Sequence, residues 1–129
     1  MPTADIKGPQ RKVMSCGIRP LKPSLGESGI ALRDDRTLPF VVERRWSAPA
    51  GYYSERFYVV DPTTREIIFE GPESVELMWG LQGLTDVRTE VAGSFPLEPG
   101  TYLLVFALGG IGGGEFEFEA TEAGAEAVA

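Results

Sequence analysis

The sequence lacks most of the side chains from which small enzymes build their active sites. Its 129 residues include no histidine and a single cysteine, Cys16. These residues therefore cannot assemble a Ser-His-Asp triad, a Cys-His pair or a Cys/His zinc site. We expect Cys16 to be a small apolar residue of a strand, because no histidine is present to activate its thiol.

Carboxylates are the remaining groups that could transfer protons, since a glycosidase needs only two of them. The acids nearest to strand-like segments are Glu43, Glu55, Asp61, Glu66, Glu70 and Glu73. No spacing singles out a pair among them. Calcium could find oxygen ligands at Asp34–Asp35, or at Asp61 with Glu66, but neither set has the spacing of a calcium-binding loop. The sequence therefore predicts a protein that is not an enzyme and that holds no metal or cofactor.

A glycine-rich segment, GGIGGG at 109–114, invites comparison with a phosphate-binding loop. Such a loop continues into Lys-Ser/Thr and the first turn of a helix, whereas this segment continues into the strand-like EFEFE. It is therefore predicted to be a flexible hairpin tip between the last two strands. Its glycine backbone could also lie close against a partner.

Aromatic and arginine side chains are concentrated around the segment WSAPAGYYSER, and both types are enriched at protein interfaces. Tyr52 and Tyr53 are adjacent, so an extended backbone cannot direct both towards the core. The predicted contact patch consists of Arg44, Arg45, Trp46, Tyr52, Tyr53 and Arg56. The alternative is that Trp46 and Trp79 belong to a sandwich core and that the tyrosines line a loop.

The last predicted strand, EFEFEA at 115–120, directs Phe116 and Phe118 to one side and three glutamates to the other. These glutamates, Glu115, Glu117 and Glu119, form an acidic stripe. Charges in such a position keep the edge of a sheet from pairing with other chains. The alternative is an edge contact at which the basic segment of a neighbouring copy docks.

Charge is distributed unevenly along the chain, whose net charge is −7. Residues 1–45 carry nine Lys/Arg and five acids, whereas residues 46–129 carry three Lys/Arg and fourteen acids. The acidic part would repel a polyanion, so no nucleic-acid partner is expected. A basic segment on an acidic body suits association with another copy or with an acidic partner, and it equally suits folding back on its own body.

The elements that would position these residues fall into three segments. Residues 1–38 are rich in proline and glycine, which predicts an extended basic arm with one or two edge strands, at 11–18 and 29–33. Residues 39–120 are predicted to form the body. Residues 121–129 are rich in alanine and glutamate and are predicted to be a frayed tail.

About seven strands are predicted in the body, spaced roughly 8–12 residues apart, which favours an antiparallel two-sheet β-sandwich. The firmest prediction is a hairpin that joins 54–60 to 66–70 through Asp61–Pro62.

The segment SVELMWGL (74–81) shows the two-residue period of a strand. Val75, Leu77 and Trp79 alternate with Glu76, Met78 and Gly80. We therefore predict a strand that buries one of its two faces.

The segment LEPGTYLLVF (97–106) resembles the L-x-P-G-x-Y start of a strand in bacterial immunoglobulin-like and prealbumin-like sandwich modules. Pro99–Gly100 suits a tight turn, and Tyr102 can pack inward while its hydroxyl caps the neighbouring loop. The resemblance implies an immunoglobulin-like sandwich that serves adhesion, assembly or spacing. It implies no functional residues.

These patterns favour a non-enzymatic structural or protein-interaction module in a larger assembly, such as a virion component, or a bacterial accessory protein. Its partner would be another protein, or a second copy engaged through residues 1–38. The alternative is a small-ligand or carbohydrate-binding sandwich that uses Trp46, Tyr52 and Tyr53 as a stacking platform. The sequence has no bilayer-length apolar run and no signal-like N-terminus, so a cytoplasmic or virion location and no membrane partner are expected.

Overall fold

A computed structural model describes residues 11–79 and 84–124 of the chain. Regular structure in these residues consists of ten strands and one 3₁₀ turn, Pro23–Leu25. In chain order the strands are β1 (Lys12–Pro20), β2 (Ile30–Arg33), β3 (Arg36–Thr37), β4 (Phe40–Ser47), β5 (Gly51–Val60), β6 (Ile67–Glu70), β7 (Ser74–Met78), β8 (Leu84–Val91), β9 (Gly100–Leu108) and β10 (Ile111–Glu122). The predicted all-β class is therefore confirmed.

The strands form two sheets, as predicted. The first has three antiparallel strands in the order β1–β4–β8. The second has the order β3–β2–β10–β9–β5–β6, with β7 paired to β5 beside β6. All pairs are antiparallel except that of β10 with β2, which is parallel.

Most of the strands lie in the segment predicted as the body. Seven of the ten strands, β4 to β10, start between Phe40 and Ile111. The predicted hairpin is present, since β5 pairs antiparallel with β6. Its turn is held by Asp61, whose Oδ1 accepts the backbone N–H groups of Thr63 at 2.8 Å and Thr64 at 2.9 Å. This is the local hydrogen bonding that makes Asp a turn residue.

The segment predicted as an arm pairs with the body from residue 12 onward. β1 pairs with β4 along its length, and β2 lies beside the last three residues of β10. Both strands place apolar side chains in the core, among them Val13, Ile18, Ile30 and Leu32. Residues 1–10 lie outside the described residues. The predicted tail begins inside β10, and its residues 125–129 also lie outside them.

The core lies between the two sheets and is rich in aromatic rings. Phe40, Trp46, Phe57 and Phe106 have no exposed surface. The ring of Phe106 meets that of Trp46 edge-on, with centroids 6.3 Å apart. Each such side chain contributes about 1.5–3 kcal/mol when it leaves water, so this cluster supplies much of the stability.

The turn before β9 agrees with the local prediction for Tyr102. Its hydroxyl donates a hydrogen bond to the carbonyl of Glu98 at 2.7 Å. Burial and the negative charge of Glu98 raise the pKa of the phenol. Tyr102 therefore ties the start of β9 to the loop that precedes it.

The glycine-rich segment divides into a turn and a strand. Gly109 and Gly110 form the tip between β9 and β10, with φ angles of 60° and 82° that favour glycine. Gly112 to Gly114 already belong to β10. Gly113 lies against the Trp46 ring, where a Cβ atom would collide with the ring carbons. One part of the segment thus serves the turn, and the other leaves space for a core tryptophan.

Candidate functional site

The predicted contact patch is divided between the core and the surface. Arg44 and Trp46 are buried between the sheets. Arg45 points away from them, where its guanidinium bonds Asp86 at 2.7 Å. Tyr52 is exposed, whereas Tyr53 and Arg56 are half-buried. The six residues therefore do not form one continuous surface.

Arg44 and Trp46 instead belong to a buried polar network centred on Glu55. The guanidinium of Arg44 makes two hydrogen bonds to the Glu55 carboxylate, one of them from Nε at 2.7 Å. The indole Nε1 of Trp46 donates to the same carboxylate at 2.8 Å. Both charged side chains are 1% exposed. The bidentate geometry is the one in which a guanidinium binds a carboxylate most strongly.

The third nitrogen of the Arg44 guanidinium is also used. Its Nη1 bonds the carbonyl of Val42 at 3.0 Å and the hydroxyl of Thr89 at 2.9 Å. The guanidinium carbon lies 5.5 Å from the centre of the Phe57 ring, close enough for a cation–π contact. The network joins β4 and β8 of the first sheet to β5 of the second. These hydrogen bonds of Arg44 therefore help to hold the two sheets together.

The sequence contains a signal for this pair. Phe40, Val42, Arg44 and Trp46 alternate on one side of β4, and all four are buried. On β5 the same period places Glu55 on the side of Phe57 and Val59. A period-two interpretation of both strands would have directed the two opposite charges into the same core.

Tyr52 and Tyr53 point to opposite faces of β5, as their adjacency predicts. The hydroxyl of Tyr53 donates to the carbonyl of Pro49 at 2.9 Å. The guanidinium carbon of Arg11 lies 4.8 Å from the centre of the Tyr53 ring, and its Nη1 donates to the carbonyl of Leu108 at 2.9 Å. Tyr53 is therefore held within the fold, whereas Tyr52 is 75% exposed.

The apolar side of β7 faces solvent. The two-residue period is present, and one face is partly buried, but Met78 is the buried residue. Val75 is 72% exposed, Leu77 41% and Trp79 63%. Tyr52 lies directly opposite Leu77 on β5, so its side chain shares this surface. We call these four residues, Tyr52, Val75, Leu77 and Trp79, the β7 face.

The β7 face lies on a strand with one free edge. β5 is the pairing partner of β7, and within the described residues no other strand pairs with it. The backbone of Trp79 is held by Thr85, whose hydroxyl accepts from the Trp79 N–H at 3.0 Å and donates to its carbonyl. Exposed edges of this kind are templates for pairing with another chain.

The acidic stripe lies on the outer face of β10, with Phe116 and Phe118 on the inner side. Glu115 forms an ion pair with Arg65 at 2.5 Å, which lowers the pKa of the Glu115 carboxyl. Glu119 accepts a hydrogen bond from the hydroxyl of Thr101 at 2.5 Å. One side of β10 is paired with β9 along Ile111–Ala120, whereas β2 occupies the other side only at 120–122. Residues 115–119 therefore retain an edge without a strand partner in the described part of the chain.

Cys16 lines a groove of about 510 Å³ between β1 and β10, together with Ile18, Phe116 and Phe118. Burial raises the pKa of the Cys16 thiol to about 11, although the nearby Arg44 acts in the opposite direction. Most of the thiol is therefore protonated at neutral pH, and it behaves as a small apolar group.

Several of the other acids considered from the sequence serve turns or surface pairs. Asp34 and Asp35 have φ angles of 54° and 56° in the turn between β2 and β3. Asp61 caps its own turn, and hydrogen bonds from the Thr64 and Thr63 N–H groups lower the pKa of its carboxyl. Among residues 11–79 and 84–124, no three metal-ligating side chains cluster. The same residues contain no helix of the length and apolar character that crossing a membrane requires.

Comparison with known proteins finds only weak structural similarity. No family model matches the sequence, and no curated protein does. One similar solved structure is the Pseudomonas fluorescens alkylpurine DNA glycosylase AlkC bound to DNA containing an abasic site analogue, with a TM-score of 0.41 and 18% identity. The match covers 88% of this chain and 31% of that one, so the chain spans about a third of its length. A TM-score this low carries no argument about fold or function.

Proposed function

We propose that this chain is a non-enzymatic protein-interaction module and that the β7 face is its contact surface. The observation that carries the proposal is the clustering of four exposed apolar side chains on one edge strand. Isolated exposed apolar residues are common, whereas neighbouring ones that include Trp and Tyr are typical of binding sites. Participation in a larger assembly, such as a virion, is part of the proposal and would use this surface.

An immunoglobulin-like sandwich is the finer fold that we infer. Its supports are the strand order and the tyrosine at the turn. Sheets β1–β4–β8 and β10–β9–β5–β6 correspond to the A–B–E and G–F–C–C′ orders of such sandwiches. Tyr102 stands near the start of the strand that corresponds to F, and its hydroxyl bonds a carbonyl four residues upstream. A tyrosine in that position is a hallmark of the fold.

The absence of catalysis is also proposed, and the state of the carboxylates supports it. Glu55, the most buried acid, is fully engaged by Arg44 and Trp46. A general acid or base must instead reach a substrate proton at hydrogen-bond distance.

The proposal can be tested by selecting binders and then changing the β7 face. Peptides selected from a display library against the immobilised chain would be titrated against Leu77→Lys and Trp79→Lys. We expect each variant to lose at least about tenfold in affinity, as central contact residues do. The matched control is Ile111→Lys, which changes another exposed apolar residue, on β10, a strand that pairs with neither β7 nor β5. Equal affinity for all three variants would overturn the proposal.

A carbohydrate-binding function is a second proposal, supported by the exposure of two flat rings. Trp46 is buried, so the platform predicted from the sequence is reduced to Tyr52 and is joined by Trp79. Calorimetric titration with a glycan panel would test it. Binding that is lost in Tyr52→Ala and Trp79→Ala would support it, and the absence of heat with every glycan would overturn it.

A further inference from the structure

The backbone of β7 presents an ordered set of hydrogen-bonding groups along its outer edge, away from β5. On β5, the carbonyl of Phe57 accepts from Gly71 at 2.8 Å on the β6/β7 side. The carbonyl of Ser54 accepts from Gly109 at 2.6 Å on the β9 side. Because backbone direction alternates along a strand, the odd-numbered residues of β5 face β7.

The direction of the β7 groups follows from this pattern. Tyr53 is paired with Glu76, and Gly51 with Met78. Ser74, Glu76 and Met78 therefore direct their N–H and C=O groups towards β5, and Val75 and Leu77 direct theirs outward. Trp79 also points outward, but Thr85 occupies both of its backbone groups. Val75 and Leu77 thus form a short edge that has no partner among the described residues and that ends at Trp79.

The side chains and charges at this edge determine which residues a strand that pairs with it can carry. A strand that pairs antiparallel with Val75 and Leu77 would place the residues opposite them on the β7 face. The residue between those two would lie opposite Glu76. Two further acids, Glu70 and Glu73, precede β7 in the chain, and their carboxylates lie 3.5 and 4.0 Å from the guanidinium of Arg56 on β5. The edge is therefore apolar on one face and acidic around it.

A second copy of the chain is a poor occupant of this edge. The register that uses all the outward groups of both copies would pair Val75 of one copy with Leu77 of the other. That register places the two Glu76 residues directly opposite each other, and like charges in that position are destabilising. Each copy also carries a net charge of −7.

We propose that the free edge of β7 binds an extended segment of a partner protein as an added antiparallel strand, with apolar residues opposite Val75 and Leu77 and a Lys or Arg opposite Glu76. This is strand addition, in which main-chain bonds give affinity and alternate side chains give specificity. The inference rests on the proposed function, because it uses the β7 face as the contact surface. It adds the conformation, direction and charge of the partner.

The first experiment uses an acetylated and amidated KVKVKVK peptide as the probe. When its valines lie on the β7 face, their N–H groups point at β7, and the lysine N–H groups point away. N-methylation of the valines should therefore abolish binding, whereas N-methylation of the lysines should preserve it. Binding of both methylated peptides with equal affinity would overturn strand addition, as would no binding of the parent peptide at millimolar concentration.

Charge provides the second experiment. Glu76→Lys should weaken KVKVKVK binding by at least about fivefold and should create binding of the acidic counterpart EVEVEVE, since opposite charges across strands attract. Amide exchange measured by NMR gives an independent readout. The Val75 and Leu77 amides should exchange fast in the free chain and slow on peptide binding. Unchanged exchange at both amides in the bound state would contradict the inference.

A backbone variant separates the inference from the proposed function. Val75→Pro removes an outward N–H that no described residue uses, so the fold should tolerate it, as edges tolerate proline. Glu76→Pro, the adjacent control, removes a bond to β5 and should destabilise the chain. If selected peptides bind Val75→Pro as well as the parent but fail on Leu77→Lys, the β7 face binds partners without strand addition. If the selected peptides bind Leu77→Lys as tightly as the parent chain, the proposed function itself is wrong.

Discussion

Arg44 and Glu55 form an ion pair whose two side chains are each 1% exposed. Removing one member of a buried ion pair leaves an uncompensated charge, which costs about 3–5 kcal/mol. We expect Glu55→Gln to lower the free energy of unfolding by about that amount, because Arg44 keeps its charge and loses its counter-ion. Urea unfolding measures the change.

Two controls accompany that substitution. The double variant Arg44→Met/Glu55→Gln removes both charges, keeps an acceptor for the Trp46 indole and should be closer to the parent, since buried ion pairs are often replaceable by uncharged residues of similar volume. Arg45→Gln breaks an exposed pair with Asp86 and should have little effect. A loss from Glu55→Gln no larger than that from Arg45→Gln would contradict the expected role.

The Cys16 thiol is expected to react slowly. Its pKa of about 11, against an ordinary 9.0, leaves roughly a hundredfold less thiolate at pH 8. Iodoacetamide alkylation at pH 8 should therefore be at least about tenfold slower in the folded chain than in urea, and its rate should keep rising with pH beyond 9. A rate that reaches its plateau near pH 9 in the folded chain would show that burial does not control this thiol.

At the scale of single residues, sequence patterns predict positions better than partners. The opposite orientations of Tyr52 and Tyr53 and the capping hydrogen bond of Tyr102 follow from local backbone geometry, and the structure has both. The sequence placed Arg44 on a surface because charged residues are almost never fully buried unless paired. Its pair, Glu55, lies eleven positions away on the other sheet. The two-residue period of each strand directs both charges inward, but which two charges meet depends on how the two sheets face each other.

Among the elements, β10 offers a matched pair of glycines. A Cβ atom at Gly113 would collide with the Trp46 ring, whereas one at Gly112 would meet nothing within 4 Å. Gly113→Ala should therefore cost about 1–3 kcal/mol, as overpacking of a core does. Gly112→Ala should be neutral or slightly stabilising, because alanine has less freedom to lose on folding. Equal thermal midpoints for the two variants would contradict this account.

The turn between β5 and β6 should be sensitive to acid. The pKa of Asp61 is lowered by the N–H groups of Thr64 and Thr63, so its contribution to stability is present above the unfolded pKa near 3.8 and is lost as the pH falls below it. Stability of the parent should therefore fall more steeply than that of Asp61→Asn between about pH 4 and pH 2. Urea midpoints at several pH values measure the difference. Parallel curves would rule out this role for Asp61.

Strand positions were predictable because apolar residues alternate and turn residues separate them. The sequence predicted a buried face for β7, but not which face it would be. Val75, Leu77 and Trp79 are more apolar than Glu76 and Met78, yet Met78 points inward. β7 pairs with the N-terminal half of β5, and its inner side is fixed by the inward direction of Tyr53 opposite Glu76. Register of this kind is set by the partner strand and not by the strand itself.

Folding of the whole molecule requires the strands of the segment that was predicted to be an extended arm. β1 and β2 contribute Val13, Ile18, Ile30 and Leu32 to the core. A chain reduced to residues 39–129 should therefore not fold, because this loss exceeds the few kcal/mol by which a domain is stable. Far-ultraviolet circular dichroism and urea unfolding test this, with residues 11–129 as the control. A cooperative transition in the shorter chain would revive the arm as a separate, detachable segment.

The uneven charge of the chain has a structural counterpart at this scale. Arg44 from the basic half pairs with Glu55 from the acidic half, and Arg45 pairs with Asp86. Both arginines lie in β4, so these pairs are internal to the predicted body and involve no residue of 1–38. Association through residues 1–38 stays a prediction, and light scattering at low and high salt measures it.

The two tryptophans lie in opposite environments, and this gives the chain two intrinsic optical reporters. Trp46 is sealed beside a carboxylate and between aromatic rings, so its emission responds when the sheets separate. Trp79 is open to water, so its emission responds when something covers the β7 face. A single Trp→Phe substitution at either position isolates the other signal. Folding and partner binding can therefore be followed separately on one unlabelled molecule, by the emission wavelength of its intrinsic tryptophan fluorescence.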